Sequence, residues 1–271
     1  MNYRHAFHAG NHADVVKHLV LIYCLAHLKR KPAAFAVLDT HAGPGLYDLH
    51  SAEAQRSPEW KHGIGRLWGW AGAPAPIGAY LDAVAAFNDG ARRFYPGSPA
   101  LIAQALRAED LLIACELHRE DAAALRQRFA AAPNVHTHTR DGWEALGALL
   151  PPPRGRGLVL IDPPYEQPGE LERAARALGP ALQRFGNGVF IWWRPFKSGA
   201  GLDRADAEAA AQGARDSLRA DFWIDAPRRD GKLVGSSVFI VNPPFGLEAA
   251  LRVALPILAD KLAHGAGGWR I

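Results

Sequence analysis

Cysteine is scarce in this chain of 271 residues, with only Cys24 and Cys115. They lie far apart in apolar surroundings and read as buried thiols, not a disulfide framework, which suits a reducing compartment. No apolar run approaches the ~20 residues that span a bilayer. The opening Met-Asn-Tyr-Arg-His lacks the apolar stretch of a secretory signal. A cytoplasmic location without membrane attachment is therefore expected. The absence of an internal repeat excludes solenoids and propellers. Charge is not strongly one-sided either: 31 basic against 27 acidic residues leave a net +4. That permits a nucleic-acid partner without identifying one. The basic residues do gather, at Arg4, Lys17, Lys29-Arg30-Lys31, Arg92-Arg93, Arg154 with Arg156, and Arg228-Arg229 with Lys232.

What is present is alternation. Short runs at 35–38, 111–117, 135–139, 158–161, 189–193, 222–226 and 237–241, most of them apolar, predict seven strands. Helical periods fall between most of them, at 13–29, 98–107, 118–131, 141–150, 170–185, 204–219 and 247–263. Strands alternating with helices predict an α/β fold with a doubly wound, mostly parallel sheet. Residues 48–95 differ: Trp60, Trp68 and Trp70 stand among glycines and prolines, with no strand evident. The expected organisation is thus 1–47 (arm, helix and first core strand), 48–95 (a small helical insertion subdomain) and 96–271 (the rest of the core).

In open α/β sheets ligands bind outside the carboxyl ends of the strands, and four of these ends carry an acid. The first closes on Asp39-Thr-His-Ala-Gly43-Pro-Gly45, a turn where backbone can approach a ligand. It lacks the third glycine of the dinucleotide fingerprint, which disfavours a dinucleotide-dependent oxidoreductase. The second ends in Glu116, placed to accept from ribose hydroxyls or simply to cap the next helix. The third ends in Asp141-Gly142, where the carboxylate can serve an adenine amino group or act as an N-cap. The fourth, 158–161, stops at Asp162-Pro163-Pro164-Tyr165, because paired prolines continue neither strand nor helix. Asp162 and an unpaired carbonyl beside the prolines can both accept from a planar exocyclic amine, freeing its lone pair to attack an electrophilic methyl. Tyr165 offers a face for an extruded base. A rigid turn with a capping Asp would use the same residues.

In order, these motifs resemble those of S-adenosylmethionine-dependent methyltransferases that act on the adenine amino group. The N-terminal Tyr3-Arg-His-Ala-Phe-His-Ala-Gly-Asn-His-Ala-Asp with Val16-Lys-His18, together with Tyr95-Pro-Gly-Ser98-Pro, is similar to the RlmJ family, over essentially the whole chain. That family methylates N6 of an adenine in large-subunit (23S) ribosomal RNA. The resemblance implies a Rossmann-like class I methyltransferase fold with its last strand inserted antiparallel, and S-adenosyl-L-methionine as cofactor. It implies cofactor-binding positions at Lys17, His18, His41, Gly43, Ser98, Glu116, Asp141, Gly142 and Asp162. It also implies catalytic positions at Asp162, Pro163 and Tyr165, and contact of Tyr3 with RNA, in which Arg4, His5 and His8 would join. Ribosomal RNA, protein-free or in an early assembly intermediate, is the implied partner, with no obligate protein partner.

Two patterns compete for these roles. Asn242-Pro-Pro-Phe245 fits the same tetrad but follows the seventh strand, where the sheet has reversed, and reads as a structural turn. His5, His8 and His12 have spacings that serve a metal on a helix, but Gly10 and the lack of a carboxylate or thiolate partner argue for contacts to RNA or cofactor. Trp192-Trp193 reads as strand packing, with Trp193 able to face the pocket. Arg194 and Lys197 read as solvated or phosphate-facing. Rival functions are the same chemistry on DNA adenine and a non-catalytic RNA-binding protein on this fold.

Overall fold

The computed structural model describes residues 3–197, 199–226 and 233–271, the side chains of 199 and 200 excepted. Arg228, Arg229 and Lys232 of the basic groups lie outside the described residues. The chain opens with an arm containing a 3-10 turn at His5–Phe7, followed by α1 (His12–Lys29) and β1 (Ala36–Asp39). Next come β2 (Leu46–Asp48), α2 (Ala52–Arg56), α3 (Ile64–Leu67), α4 (Ala75–Ala85) and β3 (Phe94–Pro96). The core continues with α5 (Ser98–Ala105), β4 (Leu111–Glu116), α6 (Arg119–Arg128), β5 (Val135–Thr139), α7 (Gly142–Ala148), β6 (Gly157–Ile161), α8 (Glu170–Arg184) and β7 (Val189–Phe196). It ends with α9 (Gly199–Ala211), β8 (Ser217–Trp223), β9 (Gly235–Val241), α10 (Leu247–Leu262) and β10 (Gly268–Arg270).

The main sheet has eight strands in the order β10-β8-β9-β7-β6-β1-β4-β5. Strands β5, β4, β1, β6 and β7 run parallel. Strand β9 enters antiparallel between β7 and β8. The architecture is a Rossmann-like α/β sheet. Its centre is β6, whose five residues are all buried. Leu158 and Leu160 enter the apolar cluster shared with α1 and α10, while Val159 and Ile161 enter the opposite one with α7, α8 and α9. Burial on both faces is why these strands read as unbroken apolar runs. Each such side chain contributes about 1.5–3 kcal/mol.

Three local expectations differ. The helix expected over 204–219 ends at Ala211, and Ser217–Arg219 are strand. Gly213 takes φ +105, which stops the helix and leaves the next residues to pair with β9. The eighth strand, β10, adds three residues antiparallel to β8. The stretch read as strand-free closes in β3, which pairs with β2 and brings the ends of the helical segment together.

That segment packs on the helical layer of the core. Tyr80 Oη and Tyr95 Oη lie 3.2 Å apart, and Tyr95 meets His18 Nδ1 of α1 at 2.8 Å. Arg66 donates to the carbonyls of Lys261 and Ala263, and the Lys261 ammonium sits 4.1 Å from the Trp70 ring centroid.

The second Pro-Pro tetrad lies off the cavity. Asn242 takes φ +54 and its Nδ2 donates to the carbonyls of Gly186 (3.0 Å) and Gly188 (2.7 Å). Phe245 is 88% exposed. Asn242→Ala is expected to lose about 1–3 kcal/mol of stability through the buried Gly188 carbonyl left unpaired and to leave methyl transfer unchanged, read by urea titration beside an activity assay.

Candidate active site

A cavity of about 710 Å³ opens at the carboxyl ends of the parallel strands. Glu116, Asp141 and Asp162 all line it, as do His18, His41 and Ser98. Asp39 lies behind it, fully buried. Its Oδ2 accepts from Ser98 Oγ at 2.7 Å, and its Oδ1 has no partner among the described residues. Burial pushes the Asp39 carboxyl up to about 7, against the pull of Ser98. Asp39 thus anchors the N-terminus of α5, while the other three acids face the space.

The bland readings of Glu116 and Asp141 are realised together with their placement in the cavity. Glu116 Oε1 accepts from the amide of His118 (2.7 Å) and Oε2 from that of Gly43 (2.8 Å). Its carboxyl is raised by burial, with the two amides opposing. The side chain therefore clasps the glycine turn to the end of β4. Asp141 Oδ1 caps α7, accepting from Trp143 N at 2.7 Å and Glu144 N at 3.3 Å. An Asp cap leaves Oδ2 for a second donor. Glycine is required on both sides. A Cβ on Gly43, at φ +62, would stand 2.4 Å from Tyr47 Oη, and one on Gly142 would stand 2.4 Å from the Thr40 carbonyl and 2.6 Å from the His41 ring. His41 is fixed by Thr40 Oγ1 at 2.7 Å and by an edge contact to Trp143, and burial lowers it to about 4.

At Asp162 the arm, α1 and β6 converge. Lys17 Nζ lies 2.5 Å from Asp162 Oδ2 and 2.7 Å from Asp14 Oδ1. Asp14 Oδ2 in turn holds His5 Nε2 (2.9 Å) and the Gly10 amide (2.8 Å), and His5 Nδ1 meets Tyr3 Oη at 2.7 Å. Asn11 caps α1 through Ala13 N and Asp14 N, which fixes the helix start from which Asp14 and Lys17 project. Burial lowers the Lys17 ammonium, but Asp14 and Asp162 outweigh it and raise it overall. His18, one residue on, is lowered to about 3 by burial and by Lys17.

Tyr165, at φ +54, is clamped by its hydroxyl, which donates to the Trp193 carbonyl (2.7 Å) and accepts from Trp192 Nε1 (2.7 Å). Trp192 is fully buried, whereas Trp193 lines the cavity and donates to Ser236 Oγ at 2.7 Å. The two tryptophans thus divide the packing and pocket roles. Arg194 is neither solvated nor phosphate-facing. It is fully buried between the Trp192 and Phe239 rings, paired with Asp206 and Ser237. Lys197 is exposed at the cavity edge.

The four arm residues all have partners within the chain. Arg4 pairs with Glu120 (2.7 Å) and Asp121 (3.4 Å), and Tyr3 N donates to Glu166. Tyr3 also stacks on His8, whose Nδ1 meets Glu59 Oε1 at 2.9 Å. The arm therefore lies across the mouth, tied to α6 on one side and to the loop after Tyr165 on the other. Among the described residues, no three His, Cys, Asp or Glu side chains group as metal ligands. Sequence reasoning missed Asp14 and Glu59, and the bond from Trp192 to the Tyr165 hydroxyl. Asp14 stands three residues before Lys17, a helical pairing that could have flagged it; Glu59 carries no local signal.

The donor set suits S-adenosylmethionine. Two carboxylates with lone pairs to spare, a glycine turn closed to any Cβ and an uncharged His41 are the groups that the hydroxyls, amines and adenine ring of such a molecule call for.

The family model described as Ribosomal RNA large subunit methyltransferase D, RlmJ, matches residues 32–271. The Ribosomal RNA large subunit methyltransferase J of Haemophilus influenzae is 37% identical over 274 residues, covering 100% of this chain and 98% of its own. That of Escherichia coli is 38% identical over 271 residues, covering 99% and 96%. A crystal structure of a Legionella pneumophila protein superposes with a TM-score of 0.89 at 30% identity, over 97% of each chain.

Proposed function

From the premise that the chain belongs to the RlmJ family of ribosomal RNA large subunit methyltransferases, we propose that Asp162, Pro163 and Tyr165 carry methyl transfer to N6 of an adenine in large-subunit ribosomal RNA. The observation that carries the assignment is Asp162 itself: it ends the central strand in the same cavity as Glu116, Asp141 and the Gly43 turn. Lys17 holds its Oδ2, and among the described residues no group bonds its Oδ1.

S-adenosylmethionine is the cofactor and, when bound, supplies an electrophilic methyl on a positively charged sulfur. Glu116 would hold the ribose hydroxyls of the cofactor and Asp141 with Gly142 its adenine. His18, His41 and Ser98 would complete the wall against it. Lys17 fixes the Asp162 carboxylate in one orientation. Asp162 Oδ1 and the Pro163 carbonyl accept the two N6 hydrogens of the extruded adenine, so the nitrogen lone pair turns toward the methyl. The bound cofactor would supply its methyl to this nitrogen, which would then release one of its two protons. Positioning of this kind can lower a barrier by several kcal/mol. Tyr165, its hydroxyl clamped, holds a ring face for the base, a contact worth about 1–3 kcal/mol. Tyr3, Arg4, His5 and His8 close over the RNA strand, which requires Arg4 to exchange its carboxylates for phosphate.

Residues 48–95 form the insertion subdomain in this reading, and protein-free RNA or an early assembly intermediate in the cytoplasm is the substrate. No helix among the described residues is long and apolar enough to cross a membrane. The deciding experiment is transfer of labelled methyl to protein-free large-subunit ribosomal RNA, with double-stranded DNA offered in parallel. Label recovered as N6-methyladenine in RNA supports the reading. Label only in DNA moves the substrate, and cofactor binding without label on either polymer removes both.

A further inference from the structure

The cavity extends past the Asp162 corner into a lobe that none of the roles above uses. Its walls come from four separate parts of the chain: His12 at the start of α1, Glu59 and His62 of the insertion, Ile224 after β8, and His264 after α10. The assembly is built. The insertion turn is pinned to the arm by Ile64 N donating to the Gly10 carbonyl at 2.9 Å, and His264 N donates to the Ile224 carbonyl at 2.8 Å. Glu59 is gripped by His8 Nδ1 (2.9 Å) and Asn11 Nδ2 (3.0 Å). At the rim the His62 and His264 rings meet edge to face, 4.8 Å apart. Beneath them His12 is 9% exposed, and its Nε2 has no hydrogen-bond partner among the described residues. A buried polar atom left unpaired in this way calls for a ligand group.

We propose that this lobe receives a nucleobase adjacent to the target adenine, gripped by the His12, His62 and His264 imidazoles. The inference rests on the RNA-adenine reading of the site. The chemistry favours a base over a phosphate. A phosphate needs fixed cations, whereas the carboxylate in this lobe, Glu59, is anionic and repels one. Arg66, which bears on His264, is already committed to two backbone carbonyls. Burial lowers His12 to about 4 and also lowers His264. An uncharged imidazole offers one donor and one acceptor with a flat face, which is what a base edge and a stacked ring require. The lobe also accounts for the insertion: without Glu59 and His62 it would be open to solvent on that side.

The test is calorimetric binding to the full chain of AMP, the seven dinucleoside monophosphates ApN and NpA, and an adenylyl analogue whose neighbouring residue is abasic. At least one dinucleotide should bind about tenfold more tightly than AMP, the lower end of one stacked base. The abasic analogue should match AMP, and His12→Phe and His264→Ala should each remove the dinucleotide gain while leaving AMP affinity in place. Dinucleotides no tighter than AMP, a gain retained by the abasic analogue, or a gain retained in both variants would overturn the proposal. Absence of binding by AMP and by every dinucleotide would overturn the parent reading with it. His264 is exposed, so its variant reports on the lobe even where His12→Phe perturbs the fold.

Discussion

Asp162→Asn is expected to slow methyl transfer to large-subunit ribosomal RNA by roughly 10²–10³-fold, the scale of losing one preorganised polar contact to developing charge. The substitution keeps volume and planarity, so Lys17 retains an oxygen to bond. What changes is the second position. Where Oδ1 can only accept, the amide presents hydrogens, which collide with those of the adenine amine or force the amide to turn them on Lys17. Either arrangement costs the alignment of the N6 lone pair. Cofactor affinity should move far less than rate, because Glu116 and Asp141 sit at the ends of other strands, with their own backbone donors. Single-turnover rates with saturating cofactor, beside calorimetry of cofactor binding, separate the two. An unchanged single-turnover rate would remove Asp162 from the reaction and return it to the role of a turn residue.

Lys17→Met should be the most damaging single change outside the strands, costing about 3–5 kcal/mol as a buried ion group loses its central member. Lys17 is 4% exposed and Asp14 1% exposed, so water cannot replace the lost partner. Burial pushes the Asp14 carboxyl up, but His5 and Lys17 together drag it well below the usual carboxylate range. The sign of the pH dependence follows. A depressed Asp14 contributes above its unfolded value near 4 and loses that contribution as pH falls through the lower folded value. A raised Lys17 contributes fully below its unfolded value near 10 and loses it as pH rises through the higher folded value. The stability gap between wild type and Lys17→Met, measured by urea unfolding, should therefore hold from neutral pH to about 10 and narrow in acid, where the variant's Asp14, relieved of Lys17, takes up a proton. Adding Asp14→Asn should recover part of the loss, since it removes a charge left unpaired. A gap near zero at neutral pH would mean that Lys17 is solvated instead of paired.

Much of the fold was open to reading because its signals are local. Residues 158–161 read as a doubly buried strand, since four consecutive branched apolar residues cut short by a proline pair have the length and branching of one. Pro163 and Pro164 had to end it. The acids at 116 and 162 end apolar runs and Asp141 lies two residues past the strand at 135–139, so their delivery to one edge follows from parallel topology. Where local propensity misled, pairing overrode it. Ser217–Arg219 continue an alanine-rich helical pattern, yet the edge of β9 offered them a ladder of hydrogen bonds. The three residues of β10 exist as strand only because β8 leaves an edge beside them.

The sequence by itself determined which chemical groups reach the cavity and from which strands, because strand ends and turns are set by neighbours a few residues away. Only the tertiary structure decided what those groups touch. Lys17 meets Asp162 across 145 positions, and Arg194, which reads as a surface cation, is enclosed by Trp192 and Phe239. His12 shares a lobe with His62 and His264 only after the insertion and the final helix have packed on α1. Partnerships of this kind depend on packing over the whole chain, and no spacing along it encodes them.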